Sequence, residues 1–254
     1  MPAKMPMTSH RPAINPQTYI GTAAWNIPRS CDESFPKHGS HLERYASVFN
    51  AVEINSSFYK DHKKETYEKW SRMVPDHFRF CTKLSKAFTH DKSEIFSSEL
   101  LTQSLETMSG LGEKWRVLLM QYPASIPSSP KKLEALLKII RKSFKGSIVI
   151  EARNLSWTEV PTLTIMKDYN IGFVRADPDR CPYPHMMGDI TYERLHGSPD
   201  IYRSSYAPEV IDTLAETLSS GEHWIIFDNT TLGHATQNAL DLQKRAGLDP
   251  KDLA

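Results

Sequence analysis

Short apolar runs with strand chemistry alternate along this chain with amphipathic stretches of helical period. Eight such runs follow one another: Tyr19–Trp25, Ala51–Tyr59, Phe78–Ser85, Arg116–Tyr122, Ser147–Asn154, Ile171–Asp177, Ile190–Gly197 and His223–Asn229. Nearly all end in polar or charged residues. Between most of them, apolar residues recur at helical spacing, over about 41–49, 64–73, 97–111, 131–142, 158–169, 208–218 and 234–245. Val117-Leu-Leu-Met-Gln-Tyr122 is apolar almost throughout, as strands buried on both faces are. Eight strand–helix units predict a (β/α)8 TIM-type barrel in one domain. The rhythm breaks once, between the sixth and seventh strands. There Pro178–Asp189, with three prolines and one glycine, predicts an irregular segment in place of a helix. We expect the barrel over residues 19–247, with a loose N-terminal tail over 1–18 and a C-terminal tail over 248–254.

Length and composition fit this reading. The chain has 254 residues, of which 39% are hydrophobic, enough for one sizeable core. Lys and Arg total 31 and Asp and Glu 30, so there is no basic excess of the kind a nucleic-acid coat needs. No apolar run approaches the roughly 20 residues of a membrane helix, and the N-terminus lacks a secretory signal pattern. Three cysteines with no C-x-x-C pair suit a reducing cytoplasm without a disulfide framework.

In a barrel of this type the strand C-termini form the active site. Strand residues alternate between the interior and the helix layer. The outer face must be apolar to hold helices, which assigns the polar parity to the interior. The expected inner ring is then Glu53, Asn55, Lys83, Gln121, Glu151, Arg153, Arg175, Asp177, Arg194 and His196, closed by Asp228 or Asn229. Some of it must pair internally, because buried charges are costly alone. Glu53 and Arg175 are the candidates for a buried ion-pair network that only sets register.

Glu151-x-Arg153 places a carboxylate and a guanidinium on one face, about 6.6 Å apart along the strand. Arg194-x-His196 repeats that geometry. His196 can transfer protons near neutral pH, and Arg194 can grip a carboxylate or phosphate as a fork. Lys83 inside a barrel can form a Schiff base if its pKa falls. Anion binding is favoured for it, since the carboxylates around it should hold its pKa up. His90 reaches towards the rim, and Trp25, Tyr59 and Trp157 are candidate pocket walls for a sugar ring or base. Glu151, His196 and Lys83 are thus the catalytic candidates. Arg153, Arg194, Asn55, Glu53, His90, Trp25, Tyr59, Trp157, Asp228 and Asn229 are the binding candidates. No metal ligand set is assigned. Glu53, Glu151, Asp177, His196 and Asp228 can ligate a divalent cation, but no zinc spacing occurs and arginines compete, so a metal is not favoured.

Six ordered segments carry a resemblance: Gly21-Thr-Ala-Ala-Trp25, Val52-Glu-Ile-Asn-Ser-Ser-Phe-Tyr59, Phe78-Arg-Phe-Cys-Thr-Lys83 with Thr89-His90, Glu151-Ala-Arg153 with Ser156-Trp157, Arg194-Leu-His-Gly197 and Asp228-Asn229. They resemble the signatures of the domain of unknown function 72 family, the YecE-like proteins, over about residues 19–246. The resemblance implies a TIM-type barrel in a cytoplasmic protein and no established activity. It also implies recurrent polar positions at Glu53, Asn55, Lys83, His90, Glu151, Arg153, Trp157, Arg194, His196 and Asn229.

The favoured function is an enzyme acting on a small anionic or polyhydroxylated substrate by acid–base chemistry, its class (isomerase, lyase or hydrolase) open. The alternatives are a metal-dependent nuclease or phosphoesterase and a non-catalytic metabolite-binding protein. The expected partner is a small molecule, with no membrane and with nucleic acid not favoured; the cofactor is unassigned.

Overall fold

The computed structural model describes residues 17–183, 187–218 and 221–248. The expected tails therefore lie almost wholly outside the described residues, as do three residues of the irregular segment.

Nine parallel strands form one sheet. They are β1 (Thr18–Ala23), β2 (Ala51–Ile54), β3 (Arg79–Lys83), β4 (Trp115–Tyr122), β5 (Ser147–Ala152), β6 (Ile171–Phe173), β7 (Arg175–Asp177), β8 (Ile190–Leu195) and β9 (Glu222–Phe227). Neighbours run β6-β5-β4-β3-β2-β1-β9-β8-β7. β6 and β7 are two halves of the expected sixth strand, parted at Val174. β6 pairs with β5, and β7 pairs with β8, so one chain segment faces both edges of the sheet and brings it round into a barrel. Val174 spans the join by donating its N–H to the Ile150 carbonyl at 2.9 Å.

The helices are α1 (His41–Ala46), α2 (Ser56–Tyr59), α3 (Lys64–Met73), α4 (Lys86–Thr89), α5 (Ser98–Met108), α6 (Pro130–Ser143), α7 (Val160–Asp168), α8 (Pro208–Glu216) and α9 (His234–Ala246). Their ends follow local chemistry. Ser40 and Glu43 cap α1 reciprocally. Pro130 opens α6 where its missing N–H costs nothing, and Leu133, Leu136, Leu137 and Ile140 give that helix a buried face. The expected second strand stops early. Its last four residues, Ser56–Tyr59, turn into α2, with the Ser57 hydroxyl tied to the carbonyls of Ile54 and Lys83.

Two apolar layers result. The outer one lies between sheet and helices. The inner one fills the barrel with Ala51, Cys81, Val117, Leu119, Val149, Val174, Ile190, Tyr192, Trp224 and Ile226. β1 fits this crowding because Gly21 has no side chain: a Cβ there would lie 2.0 Å from the Ala51 carbonyl oxygen. As expected, 178–189 carries no helix among its described residues. The chain instead presses onto β6, where a Cβ on Gly188, at φ +77°, would lie 2.7 Å from the Gly172 main chain. Among the described residues no helix is long and apolar enough to cross a membrane.

The inner layer corrects one part of the parity reading. Val174 points inward, and Ala176 pairs in register with the inward Arg194. Arg175 and Asp177 therefore face outward. Of the two residues expected in a buried register-setting ion-pair network, Glu53 pairs with the buried Arg194, while Arg175 is exposed and lies 3.8 Å from Glu193.

Candidate functional site

Above the apolar filling, at the C-terminal strand ends, the interior turns polar. Seven buried side chains from six strands or the residues just past them make a ring: Glu53, Lys83, Gln121, Glu151, Arg194, His196 and Asp228. Arg153 leans over it from the mouth, a fifth of its side chain exposed.

Arg194 is the hub. Its Nε and Nη2 grip both oxygens of Glu53, at 3.0 and 2.7 Å. Nη2 also reaches Asp228 Oδ2 at 2.8 Å, while Nη1 donates to Glu151 Oε2. One guanidinium thus faces three carboxylates, and its side chain is fully buried. Tyr192 supports Glu53 from below by donating its hydroxyl at 3.1 Å.

His196 is held between two of those carboxylates. Nδ1 lies 3.0 Å from Asp228 Oδ2, and Nε2 lies 3.2 Å from Glu151 Oε1. Burial disfavours the imidazolium, but hydrogen bonds to Asp228 and Glu151 outweigh it and raise the pKa above the ordinary 6.5. The charged ring donates one N–H to each carboxylate. Nε2 also lies 3.3 Å from Arg194 Nη1 and 3.4 Å from Arg153 Nη2. Once deprotonated, Nε2 can accept from either arginine. Proton loss therefore exchanges Glu151 for an arginine as its partner. Burial pushes the Glu151 carboxyl up, yet Arg194, His196 and Arg153 beside it hold it well below the usual carboxylate range. Asp228 behaves alike, lowered by Arg194 and His196 against its burial.

Lys83 differs from the other cations. Its Nζ lies over the Phe58 ring, 4.4 Å from the centroid. Among the described residues, no side chain or carbonyl gives this ammonium a hydrogen bond or ion pair. The ring carboxylates are engaged by Arg194, Arg153 and His196 instead. Burial and then Arg194 lower its pKa, against the pull of Glu53, Asp228 and Glu151. The expectation that nearby carboxylates hold it up does not survive this geometry.

The other candidates sit around the ring. Arg153 Nε and Nη2 bind Glu151 Oε1 at 2.8 and 2.7 Å, and Nη2 touches the Tyr202 hydroxyl at 3.3 Å. His90 packs edge-on against Phe58 and accepts from or donates to Thr89 Oγ1 at 2.9 Å. Burial, then Lys83 and Arg153, lower its pKa. Asn55 follows β2, its Oδ1 buried without a hydrogen bond. Tyr59 stands exposed at the rim against Phe58. Three candidates lie elsewhere. Trp25 packs edge-on against Trp70 in the helix layer. Trp157 stacks on Tyr122 at 4.0 Å and walls a side cavity of about 320 Å³ with Ile126, Ser128 and Lys132. Asn229 turns from the ring and clamps the Ser204 carbonyl and Asn238 with its Nδ2, both at 2.9 Å. Among the described residues no three His, Cys, Asp or Glu side chains converge as a metal-holding group; the ring carboxylates converge on a guanidinium.

Tyr202 was not foreseen. It lies five residues past Gly197, at φ +68°, its ring edge-on to His196 with centroids 5.4 Å apart. No periodicity reports which loop residue folds back over a strand end.

A family model described as "Protein of unknown function DUF72" matches residues 19–254. The chain is 32% identical to UPF0759 protein YecE of Escherichia coli K12 over 118 residues, 46% of this chain and 41% of that protein. The aligned stretch therefore spans under half of that relative. A DUF72 family protein from Enterococcus faecalis V583 has a solved structure that superposes with a TM-score of 0.72, at 26% identity, covering 92% of this chain and 98% of that one. One from Thermotoga maritima MSB8 gives 0.69 at 24% identity, covering 90% and 98%, which is a likeness of fold.

Proposed function

Because the chain belongs to the DUF72 family, whose description carries no activity, we propose its role from the geometry of the barrel mouth: an enzyme that binds a small anionic or polyhydroxylated molecule and moves protons on it. The observation that carries this reading is the unequal engagement of the ring cations. Arg194 directs its donors to Glu53, Glu151 and Asp228 within the ring, so its role is to position those carboxylates. Lys83 has no such partner, and Arg153 is part-exposed, which leaves these two to meet an anion or hydroxyl. His196, whose imidazolium is favoured by two carboxylates, is the acid; Glu151, held well below the usual carboxylate range and shared among Arg194, Arg153 and His196, is the base after the imidazolium gives up its proton. Gln121 and Asn55 supply neutral hydrogen-bonding groups at the same level, and His90 and Tyr59 border the entrance.

The test is a thermal-shift screen of sugar phosphates, hydroxy acids, keto acids and free sugars at neutral pH. At least one compound of these classes is expected to raise the melting temperature of the wild type, and Arg153→Gln is expected to remove that shift while the unliganded protein still melts cooperatively. A screen in which only nucleic acid or a divalent cation stabilises the protein would sink the reading.

A further inference from the structure

We propose that Lys83 is a covalent catalyst: its amine adds to the carbonyl of the substrate, a hydroxylated aldehyde or ketone or a 2-keto acid, and forms an iminium at the barrel mouth. This rests on the mouth being a small-molecule site and gives that site a reaction.

The argument starts from what is missing around Nζ. Lysines inside proteins normally find a carboxylate, because an ammonium out of water is costly unless paired. Three carboxylates stand in the same ring, yet each is committed to another cation: Glu53 to Arg194, Glu151 to Arg194 and Arg153, Asp228 to Arg194 and His196. The Lys83 ammonium faces the Phe58 ring instead. Burial first, and then the Arg194 guanidinium, favour losing its proton against the pull of Glu53, Asp228 and Glu151. A residue needed only to bind an anion gains from staying charged. An amine nucleophile gains from this arrangement, which favours the free base more than a solvated site does. The main chain is rigid at this point: the Ser57 hydroxyl holds both the N–H and the carbonyl of Lys83, at 3.1 and 2.8 Å.

The step balances with groups already in the ring. The Nζ lone pair forms a C–N bond to the carbonyl carbon, and the carbonyl π pair moves to oxygen. That oxygen takes a proton from the His196 imidazolium, directly or through water, and the nitrogen sheds one proton to water. The resulting hydroxyl is protonated again and leaves as water while the nitrogen lone pair forms C=N⁺. The sum is amine plus carbonyl plus one proton, giving iminium plus water. The iminium then draws electrons from the adjacent carbon, where Glu151 and His196 are the groups that accept or deliver a proton.

The experiment traps the iminium. The full chain is incubated at pH 7 with glycolaldehyde, dihydroxyacetone or pyruvate and cyanoborohydride, which reduces iminium but leaves carbonyls, and adducts are mapped by peptide mass spectrometry. With at least one probe, Lys83 is expected to be modified about tenfold faster than exposed lysines such as Lys63, Lys64 and Lys69. Lys83→Arg, which keeps the charge, is expected to lose that adduct alone. If Lys83 is labelled no faster than the exposed lysines with all three probes, covalent catalysis by Lys83 is overturned. The His196 imidazole resonances, titrated with glycerol 3-phosphate, then decide the wider reading. A saturable shift keeps the anion pocket without the iminium; no shift removes both.

Discussion

The barrel carries charge at both ends, and the two ends solve the problem differently. At the base, Arg116 Nε donates to Glu222 Oε1 at 3.0 Å, and Trp224 Nε1 donates to the same oxygen at 2.9 Å. One cation meets one anion, an aromatic N–H completes the set, and Arg116 keeps over a third of its side chain in solvent. At the mouth, three carboxylates, two arginines, a histidine and a lysine are crowded into a buried ring with unequal engagement. A structural ion pair needs only neutrality. The mouth goes beyond that, with an ammonium lacking an anion and an imidazole whose partner changes with its proton.

The largest effect expected from this contrast is on stability. Arg194→Met strands Glu53, Glu151 and Asp228 around an apolar side chain, and removing one partner of a buried network costs roughly 3–5 kcal/mol. Arg116→Met removes a part-exposed partner, for which about 1 kcal/mol is expected after solvent screening. Urea unfolding of both variants at pH 7 makes the comparison, and failure of the Arg194 variant to fold counts on the same side. The Arg194 deficit should shrink on acidification, as the stranded carboxyls protonate, while the Arg116 deficit has one carboxylate to recover. Equal losses at pH 7 break the distinction between the two ends.

A smaller effect separates the ends by pH. The folded-state pKa of His196 is raised above 6.5, so its contribution is fully present below that value and is lost as pH rises through the raised one. Glu151 and Asp228 are held low, so theirs is present above ordinary carboxylate values and is lost as pH falls below them. Wild-type stability should therefore decline on the alkaline side of 6.5, and His196→Gln should flatten that limb while leaving an acid limb. Glu151→Gln removes one of the two anions beside the imidazole, and should move the His196 titration, read by NMR, down towards 6.5. An unchanged midpoint would mean that Glu151 is no partner of the imidazolium.

How far the mouth could be read from sequence turns on one assumption. Alternation places Glu53, Lys83, Gln121, Glu151, Arg194, His196 and Asp228 inside because helices cover the opposite faces of their strands, and an apolar outer face follows from that cover. The same rule misplaces Arg175 and Asp177. Among the described residues no helix lies between the sixth and seventh strands to cover the outer face of β7, and polar side chains are free to point out there. The missing helix was legible in Pro178–Asp189, and its consequence for parity follows from it. The aromatic candidates fail for another reason. Trp25 and Trp157 sit just past strand ends, where the chain has left the sheet and alternation no longer fixes direction; both fold into the helix layer. Partner choice within the ring is also outside what spacing reports. That Arg194 is consumed by carboxylates while Lys83 is not depends on side-chain reach across the barrel.

The outward face at β7 offers the smallest and most specific test. Arg175 is half in solvent and 3.8 Å from Glu193, whose pKa is raised by burial against the pull of Arg175 and His223. An exposed ion pair at that separation contributes little, so Arg175→Ala should change unfolding free energy by no more than about 0.5 kcal/mol. It should leave the His196 titration and the trapping of Lys83 where they are in the wild type. An inward Arg175 would behave otherwise, because its loss would remove a cation from the ring, cost several kcal/mol and raise the pKa of Lys83. The two placements thus differ in three independent readings from one substitution. A near-silent Arg175 beside a disruptive Arg194, on adjacent strands of the same barrel, would tie the ring's composition to helix cover and not to the density of charge in the sequence.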